Sequence, residues 1–391
     1  MRFALALVVS LFALPAFALP SITLDLTSGR VLQQNKAFDP WYPASLTKLM
    51  SAYVIFREIE AGRMKLDEPV IFTREAVKAP PSRIGYRSGT TMTLEDGLKL
   101  LLIKSANDMA IALAQAAGGT VPAFAGMMNQ EAKRLGMNGS RWVNPHGLHD
   151  AGQFTTARDI AVLLQAIHRE FPQYQRIFDA PSLIAPQFLK GGGTRPKVHF
   201  TYNLLLERFD GADGFKTGFV CASGYNFAGA ATRDRRRIAA IVFGRDSQTS
   251  RAVDAAKLIT EGFAKPANSG TLLAQLTPVG AIATAPRNMR PLLCTQEARQ
   301  NRYDPGAGQA VIESQWLRER RIDAAPLVVR LLPRSAVPPS MERIPLPTFR
   351  PQNDPAPKPK TIDGVIARRL LAGEAINDNV PLPTFRPAAN Q

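Results

Sequence analysis

Ala44-Ser45-Leu46-Thr47-Lys48 follows Pro40 and Pro43 and runs into the apolar stretch Leu49-Met50-Ser51-Ala52-Tyr53-Val54-Ile55-Phe56. Proline disfavours helix upstream, and good helix formers continue from Lys48 to Ile59 until Gly62 stops the pattern, so a helix is expected to begin at Ser45. Side chains three residues apart share a helix face, which sets the Lys48 amine beside the Ser45 hydroxyl. A serine hydroxyl attacks poorly until a base takes its proton. Lysine can be that base when burial or a second cation lowers its pKa, and the free N–H groups of a helix start can receive a developing oxyanion. Alone, the same spacing fits an N-cap serine followed by a surface lysine. The rest of the chain decides between the two.

Working outward, residues 21–26 alternate in polarity, turn at Thr27-Ser28-Gly29 and continue through 30–34, the pattern of a hairpin. Beyond the serine helix, residues 75–88 are rich in Pro, Arg and Gly and read as a loop. Thr93-Leu94-Glu95-Asp96 opens a helix that runs through Leu102 into Ser105-Ala106-Asn107. Helical patterns follow at 109–117, 121–135 and 156–168, with Asn144-Pro145-His146-Gly147-Leu148 as a turn and Gly191-Gly192-Gly193 as a flexible loop. The period then changes to two. Residues 214–220, 225–232 and 237–243 read as three strands, the last two joined by Arg233-Asp234-Arg235-Arg236, and 248–263 as a closing helix. Strands from both ends of one segment imply an α/β fold with a five-stranded, mainly antiparallel sheet flanked by helices.

The ends differ from this body. Met1-Arg2, the apolar run 3–12 and Ala16-Phe17-Ala18 have the form of a secretory signal over residues 1–18. The expectation is an exported protein of the periplasm or cell envelope, with its main domain over 19–265. From Pro266 on lie 18 of the 31 prolines, so 266–340 reads as a small domain or extension, in which 327–332 could supply strands. Residues 341–391 read as a Pro-rich, disordered tail. In it Pro345-Leu346-Pro347-Thr348-Phe349-Arg350-Pro351 recurs as Pro381-Leu382-Pro383-Thr384-Phe385-Arg386-Pro387, extended structure suited to linkers or docking, with a short helix at 362–371 between the copies. The net charge of +16 favours an anionic surface as partner, membrane or cell wall, through the basic tail. Export and the lack of interleaved basic and aromatic residues exclude nucleic acid. Cys221 and Cys294 are too few for a disulfide framework, and whether they pair is open.

Two further motifs resolve the first. Ser105-Ala106-Asn107 follows a helix, and Lys216-Thr217-Gly218 lies on a strand. With Ser45-Leu46-Thr47-Lys48 they complete, in order, the trio of penicillin-binding proteins and class A β-lactamases. From Pro20 to Phe263 the chain resembles the low-molecular-mass penicillin-binding D-alanyl-D-alanine carboxypeptidases, also at Leu102-Ile103-Lys104-Ser105-Ala106-Asn107-Asp108 and Asp213-Gly214-Phe215-Lys216-Thr217-Gly218. The resemblance implies the β-lactamase/transpeptidase-like fold and a serine peptidase that removes the terminal D-alanine from peptidoglycan stem peptides. It needs no cofactor or metal and takes β-lactams as covalent inhibitors.

The resemblance also assigns roles. Ser45 is the nucleophile, Lys48 its base and Ser105 a proton relay to the leaving amine. Asn107 holds the substrate amide or positions Lys48. Lys216 and Thr217 receive the terminal carboxylate, Gly218 leaves room for the substrate along its strand, and the N–H groups of Ser45 and Phe219 form the oxyanion hole. One departure stands out: Thr201 falls where some relatives carry a carboxylate-anchoring arginine.

Three other readings compete. A β-lactamase-like hydrolase needs a glutamate-activated water, and none of Glu131, Glu170 and Glu207 has the Glu-x-x-x-Asn setting. A zinc peptidase would have to rest on His146 and His149, which flank a glycine turn and lack the His-Glu-x-x-His pattern. A non-catalytic cell-wall binding protein on the same fold would not need the intact trio.

Overall fold

The computed structural model describes residues 19–301, 312–321 and 324–333. The expected signal 1–18, the duplicated Pro-rich element and the helix at 362–371 lie outside the described residues.

In chain order the elements are β1 (Ser21–Asp25), β2 (Arg30–Asn35), α1 (Thr47–Glu60), β3 (Pro69–Ile71), β4 (Thr91–Thr93), α2 (Leu94–Lys99), α3 (Asn107–Gly118), α4 (Val121–Arg134) and α5 (Ala157–Glu170). Then come α6 (Gln175–Phe178), β5 (Ser182–Phe188), β6 (Thr194–Phe200), α7 (Leu205–Arg208), β7 (Ala212–Val220), β8 (Gly224–Arg233), β9 (Arg236–Arg245) and α8 (Gln248–Ala264). The helix starts follow their caps. Thr93, Thr156 and Ser247 each accept a backbone N–H in the first turn of α2, α5 and α8, satisfying donors that a helix start leaves unpaired.

The five expected strands form one antiparallel run, β2-β1-β9-β8-β7, with β7 at one edge. Helices cover both faces, so β9 reads as an unbroken apolar run and not as an alternating one. Ala239, Ile241 and Phe243 face the helical block that contains α1, whereas Ile238, Ala240 and Val242 face Ala252, Ala255 and Ile259 of α8.

Two features depart from the sequence reading. The stretch around Gly191-Gly192-Gly193 is the tip of a hairpin, β5 with β6, which a period-two search passes over because Pro186 and Pro196 interrupt both strands and sit opposite each other in the register. The sheet also has a sixth strand, β10 (Thr271–Leu272), added to β2 from beyond Pro266.

The chain after α8 packs around the body. Leu273 is buried beside the first hairpin, Met289 N–H donates to Ala222 O (3.0 Å), and Cys294 is disulfide-bonded to Cys221 at the end of β7. Ile312 and Leu317 join the cluster under α8. Leu327–Val328 (β11) pairs parallel with β5, and Val329 is fully buried. The strand expected at 327–332 is thus shorter than expected and belongs to the β5–β6 sheet. These buried side chains tie the described residues after Pro266 to the body over 19–265.

Candidate active site

Ser45 sits in a tight turn, Ala44–Leu46, that leads into α1. Several groups hold that turn. Asn226 of β8 donates to the carbonyls of Tyr42 (2.9 Å) and Pro43 (3.2 Å), Thr47 Oγ1 donates to Ala44 O (2.8 Å), and Gln153 Nε2 donates to Thr47 Oγ1 (3.1 Å). The loop at 144–148 presses against it. A Cβ on Gly147 would lie 1.8 Å from Ala44 O, and Gly147 has φ +87°, so only glycine fits there. Gly218 of β7 approaches from the other side, where a Cβ would meet Ser45 N at 2.9 Å and Pro43 O at 3.0 Å.

One turn into the helix, Lys48 is completely buried. Its Nζ donates to Ser45 Oγ (3.0 Å), Asn107 Oδ1 (2.7 Å) and the backbone carbonyl of His146 (2.6 Å). All three acceptors are neutral. The ammonium is therefore satisfied in hydrogen bonds but not in charge, and burial first, then Lys216, drive its pKa well below the usual lysine range, with Asp108 opposing and Lys104 adding to the fall. A lysine in this setting readily gives up its proton and becomes a base. Of the two alternatives for Asn107, its carboxamide oxygen positions Lys48, while its Nδ2 donates to the carbonyls of Pro80 and Pro81 (3.0 Å each).

Ser105 ends the wide helical turn Leu100–Lys104 in the left-handed conformation, with φ 61° and ψ 35°, and is 4% exposed. This conformation is uncommon for a residue with a side chain. It ends the helical segment from α2 two residues before Asn107 contacts Lys48. Asp108, the next residue, is buried, and its carboxylate accepts from the N–H groups of Ile84, Gly85 and Met109 (3.1, 2.9 and 3.0 Å). It thereby ties the 80–88 loop to the start of α3, while burial raises its pKa.

Lys216 and Thr217 are buried on β7. Lys216 Nζ donates to Thr217 O (3.1 Å), and burial, then Arg251, then Lys104 push its pKa down to about 7. Two neighbouring ammonium groups cannot both easily keep their protons, and Lys216 is the first charge to add to the effect of burial on Lys48. Phe219, half-buried, follows Gly218 and packs against Tyr225 with centroids 4.3 Å apart and the rings tilted by 32°.

Sequence reasoning missed three contributors. The loop at 144–148 works through the carbonyl of His146, which composition cannot reveal. The His146 ring itself is kept neutral, its pKa pushed down to about 3 by burial and by Lys48. Asn226 carries no motif of its own. Arg251 on α8 is buried, donates to Tyr202 O (2.8 Å) and is the first cation to act on Lys216. It brings a guanidinium next to the segment where Thr201 replaces an arginine.

The glutamates of the hydrolase alternative are engaged elsewhere. Glu131 pairs with Arg134, Glu170 accepts from Tyr53, and Glu207 pairs with Arg320. His146 and His149 do not converge: His146 Nδ1 accepts from Leu148 N–H, and the His149 ring lies edge-on to Tyr42.

The sequence pattern of the D-alanyl-D-alanine carboxypeptidases matches residues 16–247. Among curated proteins, D-alanyl-D-alanine carboxypeptidase DacC of Escherichia coli is 32% identical over 248 residues, 62% of this chain and 60% of the relative. The chain thus spans about 60% of the length of the curated relatives it matches first. Among solved structures, D-alanyl-D-alanine carboxypeptidase DacD of Francisella tularensis superposes with a TM-score of 0.61 at 28% identity, over 64% of this chain and 71% of that one. Penicillin-binding protein D2 of Listeria monocytogenes, in its ampicillin-bound form, gives 0.55 at 27% identity, over 63% and 97%.

Proposed function

The chain belongs to the D-alanyl-D-alanine carboxypeptidase family, and from that premise we propose that it is a serine peptidase acting on peptidoglycan stem peptides that end in D-alanyl-D-alanine. The observation that carries the reading is the 3.0 Å contact between Lys48 Nζ and Ser45 Oγ inside a pocket that lowers the lysine pKa.

The contact between Lys48 and Ser45 supports the first step. Neutral Lys48 takes the Ser45 hydroxyl proton as Oγ attacks the carbonyl between the two D-alanines. The oxyanion that forms is received by the N–H groups of Ser45 and Phe219. The proton returns through Ser105 to the amine as the C–N bond breaks, freeing D-alanine and leaving an acyl ester on Ser45. Water then cleaves the ester, with Lys48 again the base. Lys216, Thr217 and the nearby Arg251 attract the terminal carboxylate. The substrate lies along β7, an edge strand, which Gly218 lets approach the Ser45 turn closely. A β-lactam enters the same sequence as a cyclic acyl donor and stays on Ser45 as a slowly hydrolysed ester.

Export is part of the proposal, since the substrate lies in the cell envelope and residues 1–18 have the form of a secretory signal. The chain from 266 to 333 acts as an extension of the catalytic body, and the basic 341–391 segment as a tether to an anionic membrane or wall surface.

The deciding experiment pairs fluorescent-penicillin labelling with D-alanine release from a stem pentapeptide. The wild-type protein should form a covalent adduct mapped to Ser45 and release D-alanine. Ser45→Ala should do neither, and undiminished labelling of that variant would remove Ser45 as the nucleophile.

A further inference from the structure

A second cleft opens beside the catalytic pocket, between the loop at 84–86 and the β5–β6 ribbon, where Gln187, Phe188, Lys197 and His199 line it. Period-two alternation puts Arg195, Lys197 and His199 on one face of β6. Arg195 Nε donates to Gln187 Oε1 (3.0 Å), and the Phe188 ring closes the apolar end, edge-on to Tyr86 at 5.6 Å. His199 is held neutral, its pKa pushed down to about 3 by burial and by Lys104 and Lys197.

Lys197 lines the cleft, Arg195 reaches it through Gln187 and Lys104 acts on Lys197, and the charges gathered around it are unbalanced. Burial, then Lys104, then Arg195 lower the pKa of Lys197. None of the ion pairs among the described residues uses Lys104, Arg195 or Lys197, whereas Lys99, Arg236 and Arg320 elsewhere are each matched by an acid. Lys104 Nζ donates to Ser82 Oγ (2.9 Å), a neutral group. Cations gathered without a counter-ion repel one another, and an anion arriving between them relieves that repulsion.

The cleft is joined to the catalytic pocket in two ways. Lys104 acts on Lys48 and Lys216 on one side and on Lys197 and His199 on the other. The loop that walls the cleft also supplies the Pro80 and Pro81 carbonyls that hold Asn107. An extended chain advances roughly 3.3 Å per residue, so a donor peptide held at Ser45 and running past Lys104 would bring its preceding residues to the cleft.

We infer that Lys104, Arg195 and Lys197 form a carboxylate subsite for the acyl-donor peptide, taking an acidic group one or two residues before the D-alanyl-D-alanine pair. This inference rests on the peptidase reading above. It makes the cleft a selector among donor peptides, and the terminal carboxylate is handled separately at Lys216.

The test uses the full chain and two synthetic peptides ending in D-alanyl-D-alanine that differ only in a side-chain carboxylate or carboxamide on the preceding residue. Wild-type kcat/KM should favour the acidic peptide by about tenfold, mainly through KM, with the preference shrinking as salt rises. The double variant Arg195→Gln, Lys197→Gln should lose that preference while keeping its rate on the amidated peptide and its penicillin acylation rate. Equal wild-type rates, or a preference that survives in the double variant, would overturn the subsite. If the double variant instead loses only binding to vesicles containing anionic lipid, the cleft serves a membrane surface and the subsite is overturned. Penicillin acylation without cleavage of either peptide would refute the peptidase reading itself, an outcome distinct from the others.

Discussion

Two groups of cations pack on or against the same sheet and are treated in opposite ways. Arg237 on β9 donates to Asp213 Oδ1 (3.0 Å), Gln175 Oε1 (2.8 Å) and the Asp213 carbonyl (3.2 Å), contacts His168 Nδ1 and lies over the Phe215 ring. Its neighbour Arg236 is paired with the buried Asp25 at 2.6 Å. Lys48 and Lys216 have hydrogen bonds too, but only to neutral oxygens. In the first group each charge meets an opposite charge, and the result is a brace. The second group satisfies geometry and leaves charge uncompensated, which costs stability and makes one lysine a base.

Substitutions should separate the two groups cleanly. Lys48→Ala should slow penicillin acylation by about a thousandfold with little loss of fold, measured by stopped-flow labelling alongside urea denaturation. Arg237→Met should reverse that pattern. Losing one partner of a buried pair should cost about 3 kcal/mol of stability, while acylation per folded molecule stays near wild type. Equal effects of both variants on both readouts would erase the distinction.

Lys216→Met sharpens the comparison. It should reduce peptide turnover more than tenfold, and it should raise Tm by a few degrees at pH 7, because a buried cation without a counter-ion is removed. The sign follows from linkage. In the folded chain Lys216 titrates at about 7 and in the unfolded chain near the ordinary 10.5. Between those values the unfolded state binds more protons, so its contribution to stability rises from pH 7 towards 10.5. The variant should flatten that rise.

The smallest expected effect is on substrate affinity. As pH climbs through about 7, Lys216 loses charge and KM for a peptide with a free terminal carboxylate should rise several-fold, about 1 kcal/mol. An amidated peptide should show no such change. On the acid side acylation should fall as Lys48 becomes protonated, for both donors.

What could be read in the chain was whatever depends on local spacing. Ser45 and Lys48, three apart at a helix start, announce their contact, and the alternation of β7, β8 and β9 announces the sheet that carries Lys216. What stayed hidden depends on distance in sequence or on backbone atoms. Lys48 is held by the carbonyl of His146, 98 residues away, and any residue type offers a carbonyl. The β5–β6 hairpin carries a proline in each strand, which reads locally as a break although the two sit opposite each other. Arg251, which depresses Lys216, lies on a helix whose apolar face explains its pattern without any site. The Cys221–Cys294 pair closes 73 residues of chain, a pairing that two isolated cysteines could not announce.

Lys48 gives up its proton well below the ordinary lysine range because it is buried among hydrogen-bond acceptors without charge and next to a second cation. The most direct test is an NMR titration of the lysine side-chain amines in the wild-type protein, with Lys48→Ala used to assign the resonance. Lys48 should titrate well below the ordinary 10.5, and its midpoint should rise in Lys216→Met, since one repelling charge is gone. A midpoint near 10.5 in the wild type would contradict this and move proton abstraction from Ser45 to another group.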